Sequence, residues 1–455
     1  MRNTVDLLVK GGMILTSCGL LRACIAVQNG VIVSICKEYV APKADKILDI
    51  KEKIILPGVI DAHAHVHDEK YGYREDFETG SRAASAGGVT TFLDMPLTSP
   101  VDSKKRILEK IATGERLSYV DFSLHAGMMN QQNMKNIPEI VAEGVRSFKV
   151  FTCSPYNVSD ETILNILEWA KKNDSIVNFH AENNGIITYM RKIMDRQERI
   201  DPLAHHESRP NEAEQEAVTR VILLAKLIDE KIHISHISAR QSLKSIWAAK
   251  NEGVKVTAET CPHYLFFTIG DVKGLGPHLK VNPPLRNKED AAALWSGLRK
   301  GVIDIVTSEH APGTREEKEV GWSNIWNAWS GLSSIETILP LLLSEGVNKK
   351  RLQLSDVRRV LCENPARIFG LYGKKGEIAP GFDADLVVVD LKLEKKVSVE
   401  KLYCKVDENP YEGSIFKGWP VTTIARGNIV YDDETILGKS GYGKFIPMKM
   451  NSPLP

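Results

Sequence analysis

Ile54-Ile55-Leu56-Pro57-Gly58-Val59-Ile60-Asp61-Ala62-His63-Ala64-His65 is the stretch on which the fold turns. Its apolar, β-branched run, punctuated by Pro57-Gly58, predicts a short buried strand over 54–62 that ends in a polar signature. Residues two apart in a strand share a side. His63 and His65 can therefore present two imidazoles to one point, the simplest way for a strand to offer two metal ligands. In isolation the same pattern also fits one histidine capping the strand and another bonded to a backbone carbonyl. The rest of the chain has to decide.

Seven further apolar runs follow, at 89–95, 121–127, 147–151, 176–181, 231–237, 254–259 and 303–308. Segments with apolar residues at helical spacing separate most of them, most clearly Asp160–Lys172, Asn211–Leu227 and Glu289–Lys300. Asn211, three residues before Glu214, resembles an N-cap signal. Eight strands alternating with helices predict an α/β fold of the parallel (β/α)8 TIM-barrel type. An open doubly wound sheet is the alternative, but no Gly-x-Gly-x-x-Gly turn follows the first strand.

The two chain ends read differently. Val5–Lys10, Met13–Thr16, Ala23–Gln28 and Val31–Cys36 look like short strands, with Asn29-Gly30 a strong hairpin signal. Gly376–Ile378, Ala384–Asp390, Thr422–Arg426 and Asn428–Tyr431 repeat the pattern near the other end. Neither end is long enough to bury a core by itself. The expectation is one discontinuous β-sandwich-like domain from residues 1–53 and 371–455, beside a catalytic barrel over 54–370.

Composition sets the outer limits. The chain has 455 residues, 43% hydrophobic and 26% charged, with net charge +1. That balance gives no global electrostatic case for nucleic acid or a membrane surface. The runs Lys349-Lys350-Arg351 and Lys395-Lys396 read as solvated surface. Seven scattered cysteines without a Cys-x-x-Cys pair point to a reducing compartment. With neither a signal peptide nor a run of about 18 apolar residues, a soluble cytoplasmic protein is expected.

Chemistry in such a barrel gathers at the C-terminal ends of its strands. Those ends carry His63 and His65, Lys149 within Phe148-Lys149-Val150-Phe151, His180 with Glu182, His233 and His236, and Glu309 with His310. A lysine in an apolar strand can form a Schiff base or reach out to solvent. Beside histidines it can also be capped by CO2 as a bridging carbamate. His180 and His236 singly fit core histidines. Their joint placement favours a metal, and Zn²⁺ suits imidazole with carboxylate oxygen. Two metals would activate a bridging water.

These residues sit in longer signatures: Pro57–His65, Ala86-Gly87-Gly88-Val89-Thr90-Thr91, Asp94-Met95-Pro96, Glu259-Thr260-Cys261-Pro262-His263-Tyr264-Leu265, Asn282-Pro283-Pro284-Leu285-Arg286 and Gly381-Phe382-Asp383-Ala384-Asp385-Leu386. Over nearly its whole length the chain resembles the amidohydrolase superfamily, and within it the cyclic amidohydrolases: hydantoinases, allantoinases and, more distantly, dihydroorotases. The resemblance implies two divalent metals, expected to be zinc. His63 and His65 would hold one and His180 and His236 the other, with a CO2-derived carbamate on Lys149 bridging them. It also implies Glu309 as metal contact and general acid–base, and a homodimer or homotetramer. Substrate contacts are expected from Asn282, His263, His310 and Leu97, the substrate being a small cyclic amide.

One position departs from the family. Where relatives read Ser-Asp-His, this chain reads Ser308-Glu309-His310. Glutamate keeps the carboxylate, but its extra methylene moves the oxygens by about 1 Å, enough to cost roughly 100-fold in rate if uncompensated. A weakly active enzyme is therefore one alternative. A second is a dihydroorotase, whose substrate carboxylate is held by an arginine and an asparagine where this chain has His67 and Leu97; Arg74 is a candidate substitute. Asp76–Gly80 and Met95-Pro96-Leu97 resemble allantoinases, and Lys318–Trp322 and Gly441–Phe445 resemble L-hydantoinases. Both act on a five-membered hydantoin ring, which is the expected substrate. A family member that had lost its ligands and served as an interaction protein would not keep five of them.

Overall fold

A computed structural model describes residues 4–450 and 454–455; residues 1–3 and 451–453, the extremes of the expected β domain, lie outside the described residues. Eight parallel strands form the barrel wall: Val59–Ala64, Val89–Asp94, Asp121–Leu124 continued by Ala126–Gly127, Ser147–Phe151, Ile176–His180, Ile232–Ile234, Val256–Thr260 and Ile305–Val306. A parallel bridge between Ala64 and His310 joins the eighth strand's exit to the first. The third strand is interrupted at His125, inside the wall. There Nε2 donates to the Ala62 carbonyl at 2.9 Å and Nδ1 accepts from Ser147 Oγ at 2.6 Å. Burial pushes this imidazole down to about 3, so it is neutral and structural.

The strand expected over 54–62 is two strands. Ile54–Pro57 leaves the barrel and pairs antiparallel with Leu386–Lys396 and parallel with Met13–Thr16, whereas Val59–Ala64 starts the barrel. Gly58 makes the break: its N–H donates to the Asp385 carbonyl at 2.8 Å, and a Cβ there would meet Thr90 Oγ1 at 2.1 Å. Only glycine allows that approach.

Strands from both ends of the chain share one seven-stranded sheet, ordered 435–436, 428–432, 415–425, 386–396, 54–57, 13–16 and 19–22. A second sheet holds Val31–Cys36, Cys24–Gln28, Thr4–Lys10 and Lys43–Asp49. Apolar residues of both sheets, among them Val9, Ile25, Ile55, Leu386 and Ile424, bury into one cluster, which is how two marginal ends acquire a core. Gly19–Arg22 and Lys43–Asp49 were not expected as strands, being exposed and, for the second, mostly charged. Gly376–Ile378, expected as a strand, is irregular.

The helices over Asp160–Lys172, Asn211–Ile228 and Lys288–Lys300 match the apolar spacing. Asn211 is not the cap: Pro210 precedes the first turn, and the Asn211 amide donates to Gln241 and Asp290 at 3.0 Å each. None of the seven cysteines is paired. Among the described residues no helix is long and apolar enough to cross a membrane.

Candidate active site

The strand-end residues meet at one mouth of the barrel. His63 lies within the first strand and His65 just beyond it, with ring centroids 5.3 Å apart. His236 follows the sixth strand, 5.6 Å from His63, and His180 closes the fifth, 4.5 Å from His236. Lys149 is buried in the fourth strand, 1% exposed, and its Nζ donates to Ser235 Oγ at 2.7 Å. Burial pushes its ammonium down, although Glu309 and Glu259 oppose this. Burial thus favours the uncharged amine, the form that can take up CO2.

Backbone strain collects here as well. His236 (φ 39°) and Glu309 (φ 51°) both adopt the left-handed conformation that side chains with a Cβ rarely take. In Glu309 this turn sends the carboxylate back over the first strand. Oε2 lies 2.7 Å from His63 Nε2 and Oε1 lies 3.5 Å from His65 Nε2. The ligand atoms of His63, His65 and Glu309 all fall within 4.8 Å of one another, a group able to hold a metal ion. Its neighbours His63 and His65 hold the Glu309 carboxyl well below the usual range, against the cost of burial.

Partners behind these histidines fix which nitrogens face inward. His63 Nδ1 donates to Glu259, and His65 Nδ1 donates to the Met95 carbonyl at 2.9 Å. Both Nε2 atoms are therefore turned into the site, the orientation that metal ligation needs. Glu259 also accepts from His233 Nε2 at 3.0 Å and from the His236 amide at 3.2 Å. His180 Nε2 donates to Glu182 at 2.8 Å, and Arg209 pairs with the same carboxylate at 2.5 Å. Burial opposes protonation of His180, but Cys153 and Glu182 raise it to about 9. Whether this donor set suits cations can be tested on its buried atoms. His236 Nδ1 is buried without a hydrogen-bond partner among the described residues, and the buried His63 Nε2 and Glu309 Oε2 face each other at 2.7 Å. Unsatisfied buried donors and acceptors are costly, and a bound cation satisfies convergent lone pairs of this kind. The set fits.

The expected substrate contacts fare unequally. Leu97 is half-buried in the loop after the second strand, and Asn282 Oδ1 is buried and unpartnered. His263 is fully buried with neither nitrogen partnered, and burial pushes it down to about 3. His310 is a correction: its Nε2 donates to Glu75 at 3.2 Å and its Nδ1 accepts from the Ser334 amide at 3.1 Å, so neither nitrogen is open to a substrate. Arg74 is not a free anchor either. Its guanidinium pairs with Glu317 at 2.6 Å and lies between Tyr71 and Trp329, 3.9 and 3.6 Å from the ring centres. Glu259, Glu182, Arg209 and Glu75 carried no expected role; a carboxylate within or just after an apolar strand was the available signal for Glu259 and Glu182, whereas Arg209 and Glu75 stand in loops without one.

Comparison with known proteins agrees with this geometry. The model of the amidohydrolase family matches residues 54–430. An L-hydantoinase of Paenarthrobacter aurescens is 34% identical over 97% of this chain and 98% of its own. A dihydroorotase of Methanothermobacter thermautotrophicus is 38% identical over 93% of this chain and 94% of its own. The solved L-hydantoinase (dihydropyrimidinase) from Arthrobacter aurescens superposes with a TM-score of 0.94 at 33% identity, covering 97% of this chain and all of that one. On a matched region of that extent, and a barrel whose strand ends carry the histidines, lysine and carboxylate just described, the chain belongs to the amidohydrolase family.

Proposed function

We propose that this protein is a metal-dependent hydrolase that opens the ring amide C–N bond of a hydantoin-like substrate. The observation that carries the proposal is the convergence of the buried ligand atoms of His63, His65 and Glu309 within 4.8 Å of one another at the barrel mouth, with His236 Nδ1 buried and unpartnered. His63 and His65 would hold one divalent metal and His180 and His236 the other, with Lys149, carboxylated by CO2, between them. Bound metal, zinc by the character of these donors, supplies a Lewis acid and water of lowered pKa.

The chain's own groups do the rest. Glu259 and the Met95 carbonyl hold His63 and His65 with Nε2 inward. Glu309 takes the proton of the attacking water and returns it to the ring nitrogen, a poor leaving group until protonated. Its longer side chain is accommodated because the left-handed backbone lets the carboxylate fold back between His63 and His65. Asn282 Oδ1 is suited to accept a ring N–H, and Leu97 offers an apolar wall.

Dihydroorotate is the second reading, favoured by the 38% identity to a dihydroorotase. Against it stand a neutral His67, pushed down by burial, the apolar Leu97, and an Arg74 already committed to Glu317. Ring opening measured on hydantoin, allantoin, dihydrouracil and dihydroorotate, with Zn²⁺, Mn²⁺ and Co²⁺ each supplied, decides between them. Fastest turnover on a hydantoin ring is expected; a preference for dihydroorotate overturns the substrate assignment. We further propose a cytoplasmic location, consistent with seven unpaired cysteines, an assembly of two or four copies, and division into a barrel unit and a β unit of both ends that meet at Gly58 rather than at residue 53.

A further inference from the structure

Two adjacent residues of the loop after the first barrel strand, Arg74 and Glu75, grip the segment that carries Glu309. Arg74 holds Glu317 from between Tyr71 and Trp329. Glu75, 3% exposed, reaches closer to the chemistry. One of its oxygens accepts from Thr79 Oγ1 and from the Asp76 amide at 3.2 Å, which ties it to the start of the helix Phe77–Ala86. The other accepts from His310 Nε2.

His310 is fixed on its other side too. The Ser334 amide donates to Nδ1, so Nε2 is the nitrogen that donates to Glu75 and the ring is oriented and fully engaged. The main chain on either side of it is pinned to the first strand: His65 N donates to His310 O at 2.7 Å and Glu309 N donates to His63 O at 3.0 Å. Between these anchors Glu309 keeps its left-handed backbone, which persists in such a residue only where the surroundings hold it.

We propose that Glu75 is a positioning residue for the reaction. By fixing the tautomer and angle of His310 it maintains the turn at Glu309, and so the place of the Glu309 carboxylate between His63 and His65. The inference rests on the reading of Glu309 as the acid–base.

The test compares Glu75→Ala with Glu75→Gln, whose amide oxygen can still accept from His310. Each is made in the wild type and in a Glu309→Gln background. Glu75→Ala is expected to lower kcat by about 100-fold with KM within about threefold, the pattern of a misplaced group acting only in the transition state. Metal per chain should stay as in the wild type, and Glu75→Gln should recover kcat to within about tenfold. In the Glu309→Gln background Glu75→Ala should change kcat little, because the two residues act as one unit. Should Glu75→Ala not fold, His310→Asn, which keeps the acceptor for Ser334 but cannot reach Glu75, is expected to show the same loss. An equal loss of kcat with and without Glu309, or a rise in KM alone, overturns the proposal. The visible spectrum of the Co²⁺-loaded protein separates this failure from failure of the functional reading. A shifted spectrum in Glu75→Ala supports positioning even if no tested ring opens, and an unchanged one refutes it.

Discussion

Replacing Glu309 probes the site where this chain departs from its relatives. In the structure its two carboxylate oxygens already reach His63 Nε2 (2.7 Å) and His65 Nε2 (3.5 Å). Its backbone is anchored by the bond from its amide to the His63 carbonyl, so the Cα is not free to advance. Glu309→Asp therefore withdraws the carboxylate by about 1 Å without compensation, which predicts a fall in kcat on the order of 100-fold. Glu309→Gln keeps the reach but removes proton transfer, predicting a loss of roughly 10²–10⁴-fold. Both should retain metal, because the imidazoles remain. The assay is steady-state ring opening on the best substrate, with metal per chain measured on the same samples. A faster Glu309→Asp would refute the argument that the backbone has adapted to the longer side chain. A Glu309→Gln enzyme with most of the wild-type activity would refute the acid–base assignment altogether, and His310, with both nitrogens engaged, would be no substitute.

Three further outcomes follow from the same geometry. Lys149→Ala should lose metal and activity together, with partial rescue by short carboxylic acids; full metal occupancy in the variant would rule out a bridging role. Lys375 lies 2.6, 2.9 and 2.6 Å from Asp121, Asp383 and Asp385 in a buried cluster joining barrel and β strands. Lys375→Met should cost about 3–5 kcal/mol by leaving carboxylates without their shared counter-ion, read as a lower denaturant midpoint; an unchanged midpoint would show the cluster to be dispensable. Glu336 is buried, which pushes its carboxyl up to about 8 from 4.5. Between those values the folded chain keeps a proton that the unfolded chain has released, so this group's contribution to stability falls as pH rises and levels off above about 8. The advantage of Glu336→Gln over the wild type in urea unfolding should grow across that window, and a pH-independent difference would contradict it.

What could be read from the residues alone followed local rules. His63, His65, Lys149, His180 and His236 were legible because strand ends in a parallel barrel converge, and because strand periodicity sets His63 and His65 on one side. The pairing of strands from the two chain ends was legible from apolar alternation that neither end could bury alone. The break at Gly58 was not, because it depends on Thr90, 32 positions along, pressing against the backbone. The engagement of His310 and Arg74 was equally hidden. Each is held by a carboxylate more than 200 residues away in sequence, Glu75 and Glu317 respectively, and nothing in the local pattern distinguishes a free side chain from a committed one. Lys43–Asp49 escaped notice because an exposed edge strand has no buried face to impose alternation.

His63, His65, Lys149, His180, His236 and Glu309 are proposed to form one metal-dependent hydrolytic site. Its most direct test is ring opening of a hydantoin measured as metal is removed by chelation and returned in known amounts per chain. Negligible turnover is expected of the metal-free protein, with activity rising as metal is added until two ions per chain are bound. Undiminished turnover by the metal-free protein would contradict it.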